Sequence, residues 1–95
     1  MAMKTLRLRT RHDLLELLAD GQSPAWKIAK DKEQRIGEVH IVNWRGTQRI
    51  EATFDKATSK RRDRDGRLIV GFSNARIVNC DVKFSSRNSV RYLPV

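Results

Sequence analysis

Hydrophobic and polar residues alternate with period two along most of this chain, and only one stretch near its start follows the 3.6-residue period of a helix. Residues 4–9 set Leu6 and Leu8 on one side and Thr5, Arg7 and Arg9 on the other, the pattern of a half-buried strand. Thr10 then reads as an N-cap with Asp13 three residues on. Leu14, Leu15, Leu17 and Leu18 form an apolar stripe that predicts a helix over residues 11–19, closed by Gly21. In residues 23–30 the Ser23-Pro24 pair suits a helix start, while Trp26 and Ile28 alternate with Lys27 and Ala29. The strand is favoured, followed by one helical turn over residues 31–36 that Gly37 ends.

From residue 38 the strand period dominates. Residues 38–44 place Val39 and Ile41 on one face and His40, Val42 and Trp44 on the other, so both faces are expected to be partly covered. Arg45-Gly46-Thr47 supplies a turn into residues 48–55, with Ile50, Ala52 and Phe54 inward and Arg49, Glu51 and Thr53 outward. After a polar segment, residues 67–72 are expected to pair through Ser73-Asn74 with residues 76–84, where Val78, Cys80, Val82 and Phe84 share a face. A last strand over residues 90–93 follows Ser85-Ser86-Arg87-Asn88, and Pro94 ends it. The expected fold is α+β but mostly β. It is a small, strongly bent antiparallel sheet or partly open barrel of about six strands, with one N-terminal helix packed on it.

Ninety-five residues suffice for one hydrophobic core and not for two, so residues 1–95 are read as a single domain. No apolar run approaches the roughly twenty residues of a membrane helix. The start lacks the apolar stretch of a secretory signal, and the single Cys80 has no internal partner, which points to a reducing cytoplasm. Met3 offers an alternative start, which would make Met1-Ala2 an added pair.

Charge changes the picture most. The net charge is +9, and it is uneven: residues 1–11 carry +4, residues 12–55 carry −2, residues 56–67 carry +4 and residues 68–95 carry +3. Residues 56–67 hold six Lys or Arg against two Asp and have no apolar anchor, so a charged surface loop is expected there. Guanidinium forks in such a loop suit phosphate oxygens, and segregated positive charge suits a polyanion.

Enzymatic signals are weak by comparison. His12 and His40 have no second ligand at a metal spacing, so neither a metal nor a cofactor is expected. His40 reads as a half-buried strand residue and Cys80 as a small hydrophobe. No catalytic residue is assigned among the carboxylates, and the five glycines are isolated rather than grouped in a phosphate-cradling loop. Among the aromatics, Trp44 stands before Arg45 at a hairpin tip and is the first candidate for stacking on an unpaired base; Trp26 and Tyr92 follow, and Phe54, Phe72 and Phe84 are left to the core.

Together these features predict a non-enzymatic nucleic-acid-binding module, for RNA or DNA. Lys56, Lys60, Arg61, Arg62, Arg64 and Arg67 would grip phosphates, Arg7 and Arg9 would assist, and Trp44 with Arg45 would stack on a base. The succession of a Trp-containing strand, a glycine turn, an alternating hairpin, a polar loop and a second alternating hairpin over residues 25–84 resembles the small PUA-like barrels, which implies binding of RNA or modified bases. The length, the high pI of about 10.6 and the strand–helix–helix–strands order are also similar to the small ribonuclease toxins of toxin–antitoxin pairs, which would place Arg87, Arg91 and Tyr92 near the chemistry. A third expectation is a protein partner, with the chain acting as a small inhibitor or adaptor of mobile-element origin.

Overall fold

The computed structural model describes residues 3–85 and 87–94, so Met1, Ala2, Ser86 and Val95 lie outside the described residues. The chain folds as strand β1 (Lys4–Thr10), helix α1 (Leu14–Asp20), β2 (Gln22–Trp26), the single-turn helix α2 (Lys30–Glu33), β3 (Ile36–Asn43), β4 (Gln48–Phe54), the two-residue β5 (Lys60–Arg61), β6 (Leu68–Asn79) and β7 (Val90–Pro94). One mixed, strongly curled sheet forms a half-barrel in the order β2-β6-β4-β3-β1-β7, with β5 added on β6. The mostly-β architecture with a helix packed on a bent sheet is therefore the one the alternation predicts.

One pairing departs from the antiparallel pattern: β1 and β3 run parallel, from Thr5 opposite Glu38 to Thr10 opposite Asn43. Parallel neighbours need a long crossover, and α1, β2 and α2 provide it. That crossover reaches β6 at the far end of the sheet and returns, so it covers the concave side. The core fills this side with Leu6 and Leu8 of β1, Leu14 and Leu17 of α1, Val39 and Ile41 of β3, Ile50 and Ala52 of β4, and Leu68, Val70 and Phe72 of β6.

Several local expectations are corrected. The helix cap is Asp13, whose Oδ1 accepts from Leu15 N at 3.0 Å; Thr10 instead ends β1, its hydroxyl accepting from His12 N. Leu15 points outward at 67% exposure, so the apolar stripe is narrower than four leucines. Gly21 does close α1, at φ 71. The second helical turn spans Lys30–Glu33 rather than residues 31–36, and Ile36 and Gly37 already belong to β3.

The largest correction is at Ser73-Asn74. No hairpin forms there, and β6 continues for 12 residues. Its first half pairs with β2 and β5, its second with β4. Asn74 alone is left-handed, at φ 52, beside a register shift opposite Glu51 and Thr53. A tight hairpin of the commonest type needs two such residues, whereas one extra residue in a ladder makes a bulge that bends the strand.

The residues beyond Asn79 leave the sheet, so the expected strand over 76–84 is cut short. Cys80 N donates to Thr47 O and Val82 N to Gly46 O, which folds residues 80–84 back over the β3–β4 turn. Gly46 is required there: its φ is 76, and a Cβ would stand 2.1 Å from Val82 O. Cys80 is half-buried, its thiol donating to Gly46 O.

Candidate functional site

The outer, convex face of β1 and its neighbours carries the most concentrated positive charge. Alternation sends Arg7 and Arg9 outward while Leu6 and Leu8 fill the core. Arg9 lies between two rings, 3.8 Å from the Trp44 centroid and 4.0 Å from that of Phe84, and its Nε and Nη2 both donate to Trp44 O, at 3.1 and 2.7 Å. Arg11, just past the strand, lies over the Trp44 ring at 4.2 Å, and Arg7 over Phe84 at 5.4 Å. Such guanidinium–ring contacts hold each cation by the ring's negative face without neutralising it.

Two further arginines join this belt. Arg87 lines a cleft of about 530 Å³ with Arg9, Trp44, Phe84 and Ser85. Arg91 is the direct antiparallel partner of Arg7 across β1 and β7. Like charges in that position oppose each other. Burial first, and the Arg91 charge second, hold the Arg7 guanidinium below its ordinary pKa. Among the described residues the ion pairs are made by Arg49, Arg61, Arg62, Arg67, Arg76 and His40, and none of the five belt arginines makes one.

Residues 56–67 are built differently. Asp55 N donates to Gly71 O, and Ser59 Oγ accepts from Gly71 N while donating to Asp55 O, so the segment is laced to β6 at its start. Arg61 is a structural clamp: Nη1 donates to Ile28 O and Gly66 O at 2.8 and 2.9 Å, and Nη2 pairs with Glu33 at 2.8 Å. Arg62 pairs with Asp65, which also draws Arg67 to 3.8 Å, and the Asp65 carboxyl is held below its usual range by Arg62 first. Lys56, Lys60 and Arg64 make no ion pair among the described residues, but they sit on the β6 side, with β4 and β3 between them and β1 in the order of the sheet.

Of the residues expected from the sequence, the structure therefore brings together Arg7, Arg9 and Trp44, with exposed Arg45 beside them on the β3–β4 turn. It keeps Lys56, Lys60, Arg61, Arg62, Arg64 and Arg67 apart from that group. Trp26 and Tyr92 pack against the core, Trp26 Nε1 donating to Ser23 Oγ at 3.0 Å. Arg11, Phe84, Arg87 and Arg91 complete the belt and were not assigned to binding by the sequence reading. The run of Arg7, Arg9 and Arg11 at period two was a visible signal for the first; the fold-back that delivers Phe84 had none.

No group of metal-ligating side chains occurs among the described residues, and no helix there is long and apolar enough to cross a membrane. No family model, curated protein or solved structure matches the chain. The class that fold and site define is thus a small α+β half-barrel with an arginine–aromatic outer face.

Proposed function

We propose that the protein is a nucleic-acid-binding module acting in the cytoplasm, and that its phosphate-contacting surface is the outer face of β1 and β7. The observation that carries this reading is the set of four arginines, Arg7, Arg9, Arg11 and Arg87, gathered around Trp44 and Phe84, with Arg91 opposite Arg7 on the next strand and no carboxylate partner for any of the five among the described residues. A fold that opposes Arg7 to Arg91 sacrifices stability, and an anion laid between them removes the repulsion. Phosphates meet the guanidiniums, and the cleft at Trp44 and Phe84 receives an unpaired base, with Arg45 at its rim. Lys56, Lys60 and Arg64 play a subsidiary part, because the remaining cations of their segment already have partners.

Binding of labelled single-stranded and duplex oligonucleotides over a salt series tests this. Five phosphate contacts on a single strand predict a log–log salt slope of about −3.5, and replacing Arg7 and Arg91 with Gln reduces it by about 1.4. Replacing Lys56, Lys60 and Arg64 with Gln changes it less than that. Affinity that is insensitive to salt, or that depends on the second set rather than the first, overturns the proposal.

A further inference from the structure

On the same face, one step along the strands from the Arg9 stack, the register places Arg91, Arg7, His40, Glu51 and Arg76 in a single row across β7, β1, β3, β4 and β6. Neighbouring strands lie about 4.8 Å apart, so each side chain in this row is within reach of the next. Three members of the row, His40, Glu51 and Arg76, line a polar depression of about 520 Å³ together with Glu38, Thr53, Asn74 and the small Ala52, and Arg7 stands one strand over from His40, outside that lining. The bulge at Asn74 shapes the wall of this depression, and bulges commonly re-aim side chains beside sites.

The groups in the row differ in how fully they are engaged. Glu51 is saturated: Oε2 accepts from Arg49 Nε and Nη2 at 3.0 and 2.6 Å, and Oε1 from Arg76 Nη2 at 3.2 Å. Arg49 first, against a smaller effect of burial, holds its carboxyl below the usual range, so it is ionised at neutral pH. The His40 side chain makes no hydrogen bond among the described residues, its nearest carboxylate being Glu38, 3.8 Å from Nε2. No side-chain nitrogen sealed from solvent lacks a partner among those residues, and the His40 side chain, 18% exposed, lines the depression.

The charged groups facing His40 are Arg7 from β1, Glu38 on its own strand, and Arg49 and Glu51 from β4. Burial first, then Arg49, push the imidazole below its ordinary pKa, while Glu51 and Glu38 oppose them. These influences favour the neutral imidazole, a proton acceptor, with Arg7 on the β1 side and Arg49 on the β4 side.

We propose that this row is a catalytic site that cleaves RNA through its own 2′-hydroxyl, an inference that rests on reading the face as a nucleic-acid surface. An unengaged nitrogen of His40 accepts the proton of the 2′-hydroxyl as that oxygen bonds to the adjacent phosphorus. The bond from phosphorus to the 5′-oxygen breaks, and the departing oxygen takes a proton from a water molecule. The hydroxide left behind recovers the proton from the His40 imidazolium, so protons balance and nothing is oxidised or reduced. The products are a 2′,3′-cyclic phosphate and a 5′-hydroxyl end. Arg7 and Arg76 meet the negative charge that grows on the non-bridging oxygens, and Glu51 is a positioning residue that holds Arg76 in the row. DNA, which lacks the nucleophile, binds without being cut.

The experiment incubates end-labelled single-stranded RNA, the same RNA with one 2′-deoxy nucleotide, and the matching DNA with the purified full chain and with His40→Asn, prepared in parallel. Cleavage of RNA to cyclic-phosphate ends, blocked at the deoxy position and absent from DNA, is expected. His40→Asn lowers the rate at least about 100-fold, the usual scale for removing a general base, while RNA affinity stays within about twofold. The rate of the unaltered protein rises with pH to a plateau, with its midpoint below the ordinary imidazole value, a readout that does not depend on the variant folding. Undiminished cleavage by a folded His40→Asn protein, cutting of DNA, linear phosphate ends or a bell-shaped pH profile overturns the mechanism. Salt-dependent RNA binding without cleavage overturns the chemistry and leaves the binding surface standing. Absence of binding overturns both.

Discussion

Arg61→Ala separates a cation that builds the fold from one that serves a ligand. The guanidinium donates to Ile28 O, Gly66 O and Glu33, all within 2.9 Å, and so ties the β2–α2 segment to the tip of the β5–β6 hairpin. The side chains of Arg61 and Glu33 are 22% and 19% exposed. Hydrogen bonds to charged groups contribute about 1.5–3 kcal/mol each, and part of that is recovered when water reaches the vacated carbonyls and carboxylate. A net loss of about 2–3 kcal/mol is expected. For a domain of this size each kcal/mol lowers Tm by roughly 4–8 °C, so a fall of roughly 10–20 °C should be seen by circular dichroism, with a matching drop in the urea midpoint at unchanged m. Arg64→Ala, in the same segment with no ion pair among the described residues, should stay within about 0.5 kcal/mol of the parent. Under folding conditions Arg61→Ala should bind nucleic acid as the parent does. A stability change below about 0.5 kcal/mol, or an affinity loss equal to that of the Arg7 and Arg91 replacements, refutes the assignment of Arg61 to structure.

Other perturbations probe the remaining supports. Gly71→Ala puts a Cβ 2.1 Å from Thr58 Oγ1 and 2.8 Å from Thr58 C, so the crossing of residues 55–59 must shift; a destabilisation of about 2 kcal/mol or more in urea is expected, and a neutral result would mean that the crossing yields easily. Gly46→Ala collides with Val82 O and should lift residues 80–84 from the β3–β4 turn. Cys80 should then react faster with a thiol reagent, and the Arg9 stack should lose Phe84 together with salt-dependent affinity. Stability should fall in two stages on acidification. The unfolded chain binds more protons at His40, so stability drops as pH falls from the ordinary value of 6.5 toward the lower folded one. The Glu51 pairs are then lost as pH falls through that group's depressed folded pKa. His40→Asn should flatten the first stage only, as followed by urea unfolding at a series of pH values.

The sequence by itself determined which residues of a strand share a face. Leu6 and Leu8, Val39 and Ile41, and Ile50 and Ala52 are all buried in the sheet as their period-two spacing requires, because side chains on a strand must alternate whatever lies beside it. That sufficed for a bent, mostly β domain with one leading helix, and it placed Arg7 and Arg9 outward. Ser73-Asn74 shows where local reading stops: the same polar pair serves a turn or a bulge, and only the presence of β2 and β4 on opposite halves of β6 selects the bulge. Tertiary structure alone decided which of the outward residues come together. Parallel pairing of β1 with β3 brings Arg9 to Trp44, 35 residues away. The fold-back at Gly46 adds Phe84, and Glu33, 28 residues from Arg61, takes up a cation that composition had marked for phosphate. A charge seen in sequence has no partner until the chain folds, and whether a carboxylate or a ring arrives beside it is a matter of long-range contact.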